Sequence, residues 1–392
     1  ETNLNQLMYI DDVSLKYASA VTTWTGNGDT NTDWDTATNW SNGVPVAGVT
    51  AVVPNLTNDP IATGDITLLG MVIESDASLS VTGAVNNTDV ITMYSGASLI
   101  AKTSVSENIT YNRNLATTNW YLISSPVVGQ NVDDFVAVSA LQASLINVPN
   151  IALGTAYNTI DDTWAYYQDG ASTANTFNAG QGYSINLEGA SGDISFTGTM
   201  NVSDESKTLA ITGNGYNLLG NPYPSYVNSS AMLTASTGSI LTETIWVWDQ
   251  SLSGGAGGYA TKTSIENFQL APGQGFFVQS NGSAGSVAIN EAFQNHQGTD
   301  TFLKINLRPE VHVTLNDGTN EMLAKLYYID GASKGFDNGF DGPMFGGVSN
   351  SLAVYTHSLE NGLGRNLAIQ SLPNNDFENL IVPIGVKALS GK

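Results

Sequence analysis

The sequence predicts an all-β protein: several β-sandwich or jelly-roll-like units in series, a short β-solenoid-like repeat, and very little helix. Three observations carry this. Charged residues make up only 12% of the 392, so polarity comes from Thr, Ser, Asn and 40 glycines. β-Branched residues fill pleated faces, and Gly and Asn supply the tight turns that join short strands. Apolar residues alternate in short runs, and two larger segments repeat one another in order. With 41% hydrophobic residues the chain can bury real cores, and its length suits two to four domains.

Residues 1–18 alternate in Met8-Tyr9-Ile10 and Val13-Ser14-Leu15 without a partner strand nearby, so they read as the closing strand of a preceding domain. Tyr9-Ile10-Asp11-Asp12-Val13-Ser14-Leu15 resembles the last strand of jelly-roll carbohydrate-binding modules. Residues 19–105 combine a Trp- and Asp-rich cap with a repeat. Trp24, Trp34 and Trp40 either stack on sugar rings or lie buried in a loop-rich cap; their spacing favours the cap. Ser75-Asp76-Ala77-Ser78-Leu79-Ser80-Val81 recurs twenty residues later as Ser95-Gly96-Ala97-Ser98-Leu99-Ile100-Ala101. Short strands at that interval read as solenoid rungs, too few to stand alone.

Residues 106–299 carry the larger duplication, divided near 205. Trp120–Pro126, Trp164-Ala165-Tyr166 and Gly180-Gln181-Gly182 match Tyr216–Pro222, Trp246-Val247-Trp248 and Gly273-Gln274-Gly275, at offsets of 96, 82 and 93 residues. The two copies form either one pseudo-symmetric domain or two stacked sandwiches. Helical spacing of Phe135, Val138, Leu141 and Leu145 predicts one helix over 132–145. Residues 300–392 begin a strand pattern at Phe302 and read as a small C-terminal β-sandwich around an acidic, Gly-rich loop.

Twelve Lys and Arg against 35 Asp and Glu give a net charge of −23. Such a surface repels phosphate backbones and anionic lipid, which speaks against nucleic-acid and membrane-surface partners. It keeps a protein soluble, or it supplies calcium ligands. With no cysteine, disulfides and thiolate chemistry are excluded. No run of eighteen apolar residues exists to insert in a membrane. The chain opens on Glu1 without a signal peptide and stops at Gly391-Lys392, so flanking domains of the same polypeptide are expected.

The string Gly213-Asn214-Gly215-Tyr216-Asn217-Leu218-Leu219-Gly220-Asn221-Pro222-Tyr223-Pro224-Ser225, followed by Gly273–Val278, resembles segments of large secreted cell-surface proteins of Bacteroidetes. Asp33–Trp40 and Lys334–Asp341 look like theirs too. In that group such segments precede the C-terminal sorting domain of the type IX secretion system, which is not among these residues. The resemblance spans about residues 20–392 and implies an extracellular location with adhesive, stalk or polysaccharide-handling roles. Asp35-Thr36-Ala37 also matches the group's short O-glycosylation pattern, making Thr36 a candidate glycosylation site.

The chemistry-bearing residues are sparse. His296, His312 and His357 are too far apart for a metal motif, and no G-x-S-x-G elbow occurs. No acid sits in a context that singles out a glycosidase pair. The chain therefore reads as non-catalytic. Its candidate ligand-binding residues are Trp34, Trp40, Trp246 and Trp248, since sugar faces stack on indoles. Calcium is the cofactor to test: Asp29, Asn31, Asp33 and Asp35 alternate as in an EF-hand, but Trp34 and Trp40 stand where its Gly and Glu belong. Asp337, Asn338 and Asp341 form a second candidate. The leading expectation is a structural or adhesive segment that binds a glycan or a surface protein. A carbohydrate-binding module attached to a polysaccharide-degrading enzyme and a self-assembled filament subunit are the alternatives.

Overall fold

The computed structural model of the chain describes residues 20–26, 32–142, 150–161, 163–168, 175–189, 192–250, 252, 257–300, 302, 310–316, 321–329, 332–337, 341–344, 352–359, 364–373 and 380–387. The strand expected over residues 1–18, and Asp29, Asn31 and Asn338, lie outside these. The fold is all-β, with two short α-helices among the described residues, and it divides into two compact units, Glu1–Ile305 and Asn306–Lys392.

The first unit begins with the solenoid. Its strands are β1 (Ala20–Thr23), β2 (Val49–Val53), β3 (Ile61–Ala62), β4 (Ile66–Leu68), β5 (Met71–Ile73), β6 (Ser78–Val81), β7 (Val85–Asn87), β8 (Ile91–Met93), β9 (Ser98–Ala101) and β10 (Ile109–Leu115). Parallel ladders stack them in three faces: β1-β2-β5-β8-β10, β3-β6-β9 and β4-β7. The register is the twenty-residue repeat itself, with Met71 opposite Ile91 and Leu79 opposite Leu99. Like residues stack on like, and all four are buried. Each rung turns at one left-handed residue, Asp76 (φ 61°) in one and Gly96 (φ 79°) in the next.

Over the first rung lies the cap, where Trp24, Trp34 and Trp40 pack edge to face at 5.2 and 4.6 Å. Their indole N–H groups find carbonyls: Trp24 Nε1 donates to Asn58 O and Trp40 Nε1 to Trp34 O, both at 2.8 Å.

Two copies of one module follow. The first comprises β11 (Trp120–Ile123), α1 (Val132–Val138), β12 (Asn150–Asn158), β13 (Thr163–Gln168), β14 (Tyr183–Asn186) and β15 (Gly192–Gly198). After β16 (Glu205–Thr208) the second comprises β17 (Tyr216–Gly220), β18 (Tyr226–Asn228), α2 (Ser229–Ala235), β19 (Thr244–Asp249), β20 (Gly258–Thr263), β21 (Gln269–Leu270), β22 (Gly275–Gln279), β23 (Ser286–Ile289) and β24 (Gln294–Asn295). The main sheets run β11-β14-β12-β13 and β17-β22-β19-β20, the same order twice. Each helix is capped the same way, Asn131 Oδ1 accepting from Asp134 N and Asn228 Oδ1 from Ala231 N, both at 3.1 Å.

Helix α1 is shorter than the predicted 132–145. Ser139 is extended, Leu141 bridges to Leu187, and Val138 faces solvent instead of the core. Helix α2 went unpredicted. The duplicated pairing also needs one correction. Sheet order places Trp164 of β13 opposite the role of Tyr259 in β20, not of Trp246 in β19. Tyr157 pairs with Trp164 as Trp248 pairs with Tyr259, and the offsets then stay between 91 and 96.

Of the two arrangements left open by the sequence, the copies form one pseudo-symmetric domain. Ser124 N donates to Gly273 O at 2.7 Å, and the equivalent Gly220 N donates to Gly180 O at 3.0 Å. Ile123 bridges to Gln274 as Leu219 bridges to Gln181. Each Gly-Gln-Gly turn therefore docks on the first strand of the other copy, about a local two-fold axis.

The chain then returns to the solenoid. The imidazole of His296 bridges Ser98 Oγ (2.7 Å) and Ser80 Oγ (2.8 Å) on adjacent rungs. Asp300 pairs with Arg113 at 2.9 Å, both buried, and Phe302 lies 4.1 Å from the Arg113 guanidinium. Burial opposes that guanidinium's charge, but Asp300 and the neighbouring Tyr111 and Tyr226 outweigh it and move its pKa up. These contacts put the boundary after Ile305 rather than after residue 299.

The second unit holds β25 (Glu310–Asn316), β26 (Glu321–Ile329), β27 (Gly342–Pro343), β28 (Ala353–His357), β29 (Asn366–Pro373) and β30 (Ile384–Lys387). Among the described residues these form one sheet, ordered β25-β26-β29-β28-β30 with β27 on β29. Within this sheet β26 and β29 pair in parallel, Lys325 opposite Ile369.

Candidate functional site

The two copies of the module leave an open cavity of about 260 Å³ between them. Six aromatic side chains line it: Tyr157 and Trp164 from the first copy, Tyr216, Trp246, Tyr259 and Phe277 from the second. Their placement follows from strand pairing. Tyr157 stands directly across from Trp164, and Trp246 across from Phe277, so each pair projects on one face of its sheet. Phe277 is 6% exposed and packs with Leu122 and Leu218, one from each copy.

The rings form a box. Tyr157, Trp164, Tyr216 and Tyr259 stand at 78°, 76°, 89° and 75° to the Phe277 ring, with centroids 5.1 to 6.5 Å away. Phe277 is thus a floor with four upright walls. Trp246 backs Tyr216 at 5.1 Å and 82°. Edge-to-face packing of this kind suits the aromatic quadrupole, so the walls support one another without a ligand.

The two copies differ at the positions that build the box. By sheet register Gly154 and Ser184 of the first copy occupy the places of Trp246 and Phe277 in the second. The second copy thus carries two large rings where the first carries two small residues. A Cβ on Gly154 would run into the Trp164 ring, so only glycine lets that indole lie down over β12. The Gly213-Asn214-Gly215 turn then ties the copies at the rim. Asn214 N donates to Thr159 O (2.7 Å), Asn214 Nδ2 to the Tyr157 hydroxyl (2.8 Å), and Asn214 Oδ1 accepts from Tyr216 N (2.9 Å).

None of the six lining side chains carries a charge. Burial among the rings, with the Tyr157 oxygen adding to it, pushes the Tyr259 phenol up to about 12, so it stays neutral. The box offers ring faces, ring edges and a few hydroxyl and indole donors. That is equipment for holding a ligand.

The residues singled out in the sequence scatter. Trp246 lines the box. Trp248 sits behind it, edge-on to Tyr259 at 5.0 Å and covered by Gly257, and its indole N–H has no partner among the described residues. Trp34 and Trp40 are 1% and 4% exposed and locked in the cap, so neither presents a face to a sugar. Their apolar surface closes the end of the solenoid instead. Tyr157, Trp164, Tyr216, Tyr259 and Phe277 were missed as site residues. Cross-strand alternation of aromatics was their one signal, and it is indistinguishable from core until the sheets are placed.

The acidic candidates hold loops together. Asp33 accepts from Asp35 N (3.2 Å) and from Thr36 Oγ1 (2.9 Å), so the Thr36 hydroxyl is already engaged, while Asp35 is exposed. Asp337 accepts from Ser333 N and Oγ, and Asp341 from Asp337 N and Ser371 N. Among the described residues no three His, Asp or Glu converge as a metal group. His296 is partly buried, and burial lowers its pKa to about 4, so a neutral ring joins the two serines. Among the described residues, no helix is long and apolar enough to cross a membrane.

The family model of a domain of unknown function, DUF8693, matches residues 23–257. The match takes in the cap, the solenoid, the first module and the second as far as the residue before β20, hence four of the six box residues. No curated protein and no solved structure matches the chain.

Proposed function

The chain belongs to the family of that domain of unknown function, DUF8693, and we propose that it serves as a non-catalytic, adhesive recognition segment of an exported cell-surface protein, binding through the aromatic box. The observation that carries the reading is the box itself: six rings from two copies of a module, enclosing a cavity with no titratable group near neutrality. Large aromatic anchors in a preformed concavity are what binding sites are built from. Around it, the cap, solenoid and first copy share one buried core, and the second copy packs around a core of its own. The exported location is supported by the likeness of Gly213–Ser225 and Gly273–Val278 to surface proteins of the type IX secretion group.

The test is an array of surface glycans and surface proteins probed with the folded chain, with Trp246→Ala alongside and with and without a calcium chelator. Selective binding lost in Trp246→Ala is expected. A folded chain that stays blank, or that binds equally without Trp246, overturns the recognition role and leaves the chain a spacer. Binding abolished by the chelator alone would move the site to the acidic loops at Asp33 or Asp337.

A further inference from the structure

The box also constrains what it can hold. We propose that it binds a quaternary ammonium group the size of choline's trimethylammonium head, an inference that rests on the box being the recognition site. Six aromatic residues line the open cavity, and four of the rings stand at 75° to 89° to that of Phe277. Aromatic faces carry the negative part of the ring quadrupole, and a cation held within about 6 Å of several centroids is drawn to them together.

The polar groups decide between kinds of cation. The lining residues supply no carboxylate, and one phenol, Tyr157, already accepts from Asn214. A primary ammonium entering the box would lose hydrogen bonds to water that nothing there replaces. A quaternary ammonium has none to lose. A sugar ring fits worse, for two reasons. Its hydroxyls outnumber the phenol and indole partners, and it stacks flat on open or parallel rings, whereas these stand at right angles. Size agrees: about 260 Å³ lies below the range of drug-sized pockets. The net charge of −23 raises the local concentration of any cation near the surface.

The experiment titrates the full chain with choline and follows tryptophan fluorescence and the aromatic NMR resonances. Two controls separate charge from shape: ethanolamine has the charge without the methyl groups, and 3,3-dimethyl-1-butanol has the shape without the charge. Choline is expected to saturate the site, with both controls at least about tenfold weaker. Tyr259→Leu, which keeps apolar bulk at a half-exposed position, is expected to weaken choline about tenfold, and Trp164→Leu to do the same. Equal binding of 3,3-dimethyl-1-butanol would overturn the inference in favour of a plain apolar pocket. Equal binding of ethanolamine, or indifference to both ring substitutions, would overturn it in favour of diffuse attraction to the acidic surface. Absence of any choline-induced shift also overturns it. Should array binding still depend on Trp246 in that case, the recognition role survives and only the ammonium assignment fails.

Discussion

The cap and the box are built from the same parts and do opposite things. In the cap three indoles meet at 77° and 74°, two of their N–H groups are bonded to carbonyls, and all three rings are at most 4% exposed. In the box six rings meet at similar angles, yet Tyr259 is 49% exposed and a cavity remains. The difference lies in what faces the rings. Cap indoles face one another and the first solenoid rung; box rings line an open cavity between the two copies. Aromatic content alone does not mark a binding site. An aromatic cluster left with unfilled space is the candidate.

The comparison breaks most visibly at its closed end. Trp40→Ala removes the ring that touches both other cap indoles, and the loss is expected to cost about 3–5 kcal/mol. Urea unfolding followed by circular dichroism measures it. A cost below about 1 kcal/mol would mean the cap is not a core. The segment that returns to the solenoid is expected to be nearly as sensitive. Asp300→Asn leaves the Arg113 guanidinium, 1% exposed and also donating to Pro272 O at 2.9 Å, without its counter-charge. Breaking a buried pair from one side costs about 3–5 kcal/mol, and the same unfolding experiment reads it.

How much of this was legible follows from which residues carry it. The solenoid was, because parallel rungs stack like on like and so Ser75–Val81 must reappear in register as Ser95–Ala101. The duplication was legible through its Gly-Gln-Gly turns, whose geometry tolerates few substitutes. Its middle landmark was matched wrongly, since Trp164 and Trp246 share a residue type but not a place in the sheet. Helix α2 went unseen because Ser229–Ala235 is too short to show a period; its cap at Asn228 was the only signal. The box could not be read, as it exists only once two sheets distant in sequence meet about their axis. Trp246 alone was picked out, on residue type.

A pH series sharpens the contrast at intermediate size. His296 has a folded-state pKa of about 4, below the ordinary value near 6.5, so the unfolded chain binds its proton first as pH falls. Its contribution is therefore complete above pH 6.5 and is lost progressively down to about 4, amounting to at most about 3 kcal/mol. The difference between the wild type and His296→Gln, measured by urea midpoints from pH 7 to 4, should follow that window. A difference that stays constant across it would show that the ring between Ser80 and Ser98 is not neutral. Other carboxylates titrate equally in both proteins and cancel. The box has no such group, and with Tyr259 held near 12 its binding should stay flat from pH 6 to 9.

The smallest expected effect on stability is the most telling for function. Tyr259→Ala removes a half-exposed wall that rests edge-on against Phe277 at 5.8 Å and Trp248 at 5.0 Å. Only part of the ring leaves water on folding, so the loss is expected to be about 1 kcal/mol or less. That is well below the cost of Trp40→Ala, although both substitutions delete one aromatic ring from a cluster packed at right angles. Unfolding and box-ligand titration on the same sample decide the matter. A stable variant that no longer binds shows that the open cluster is kept for its cavity. A variant as destabilised as Trp40→Ala would make the box a second core, and the contrast between closed and open aromatics would collapse.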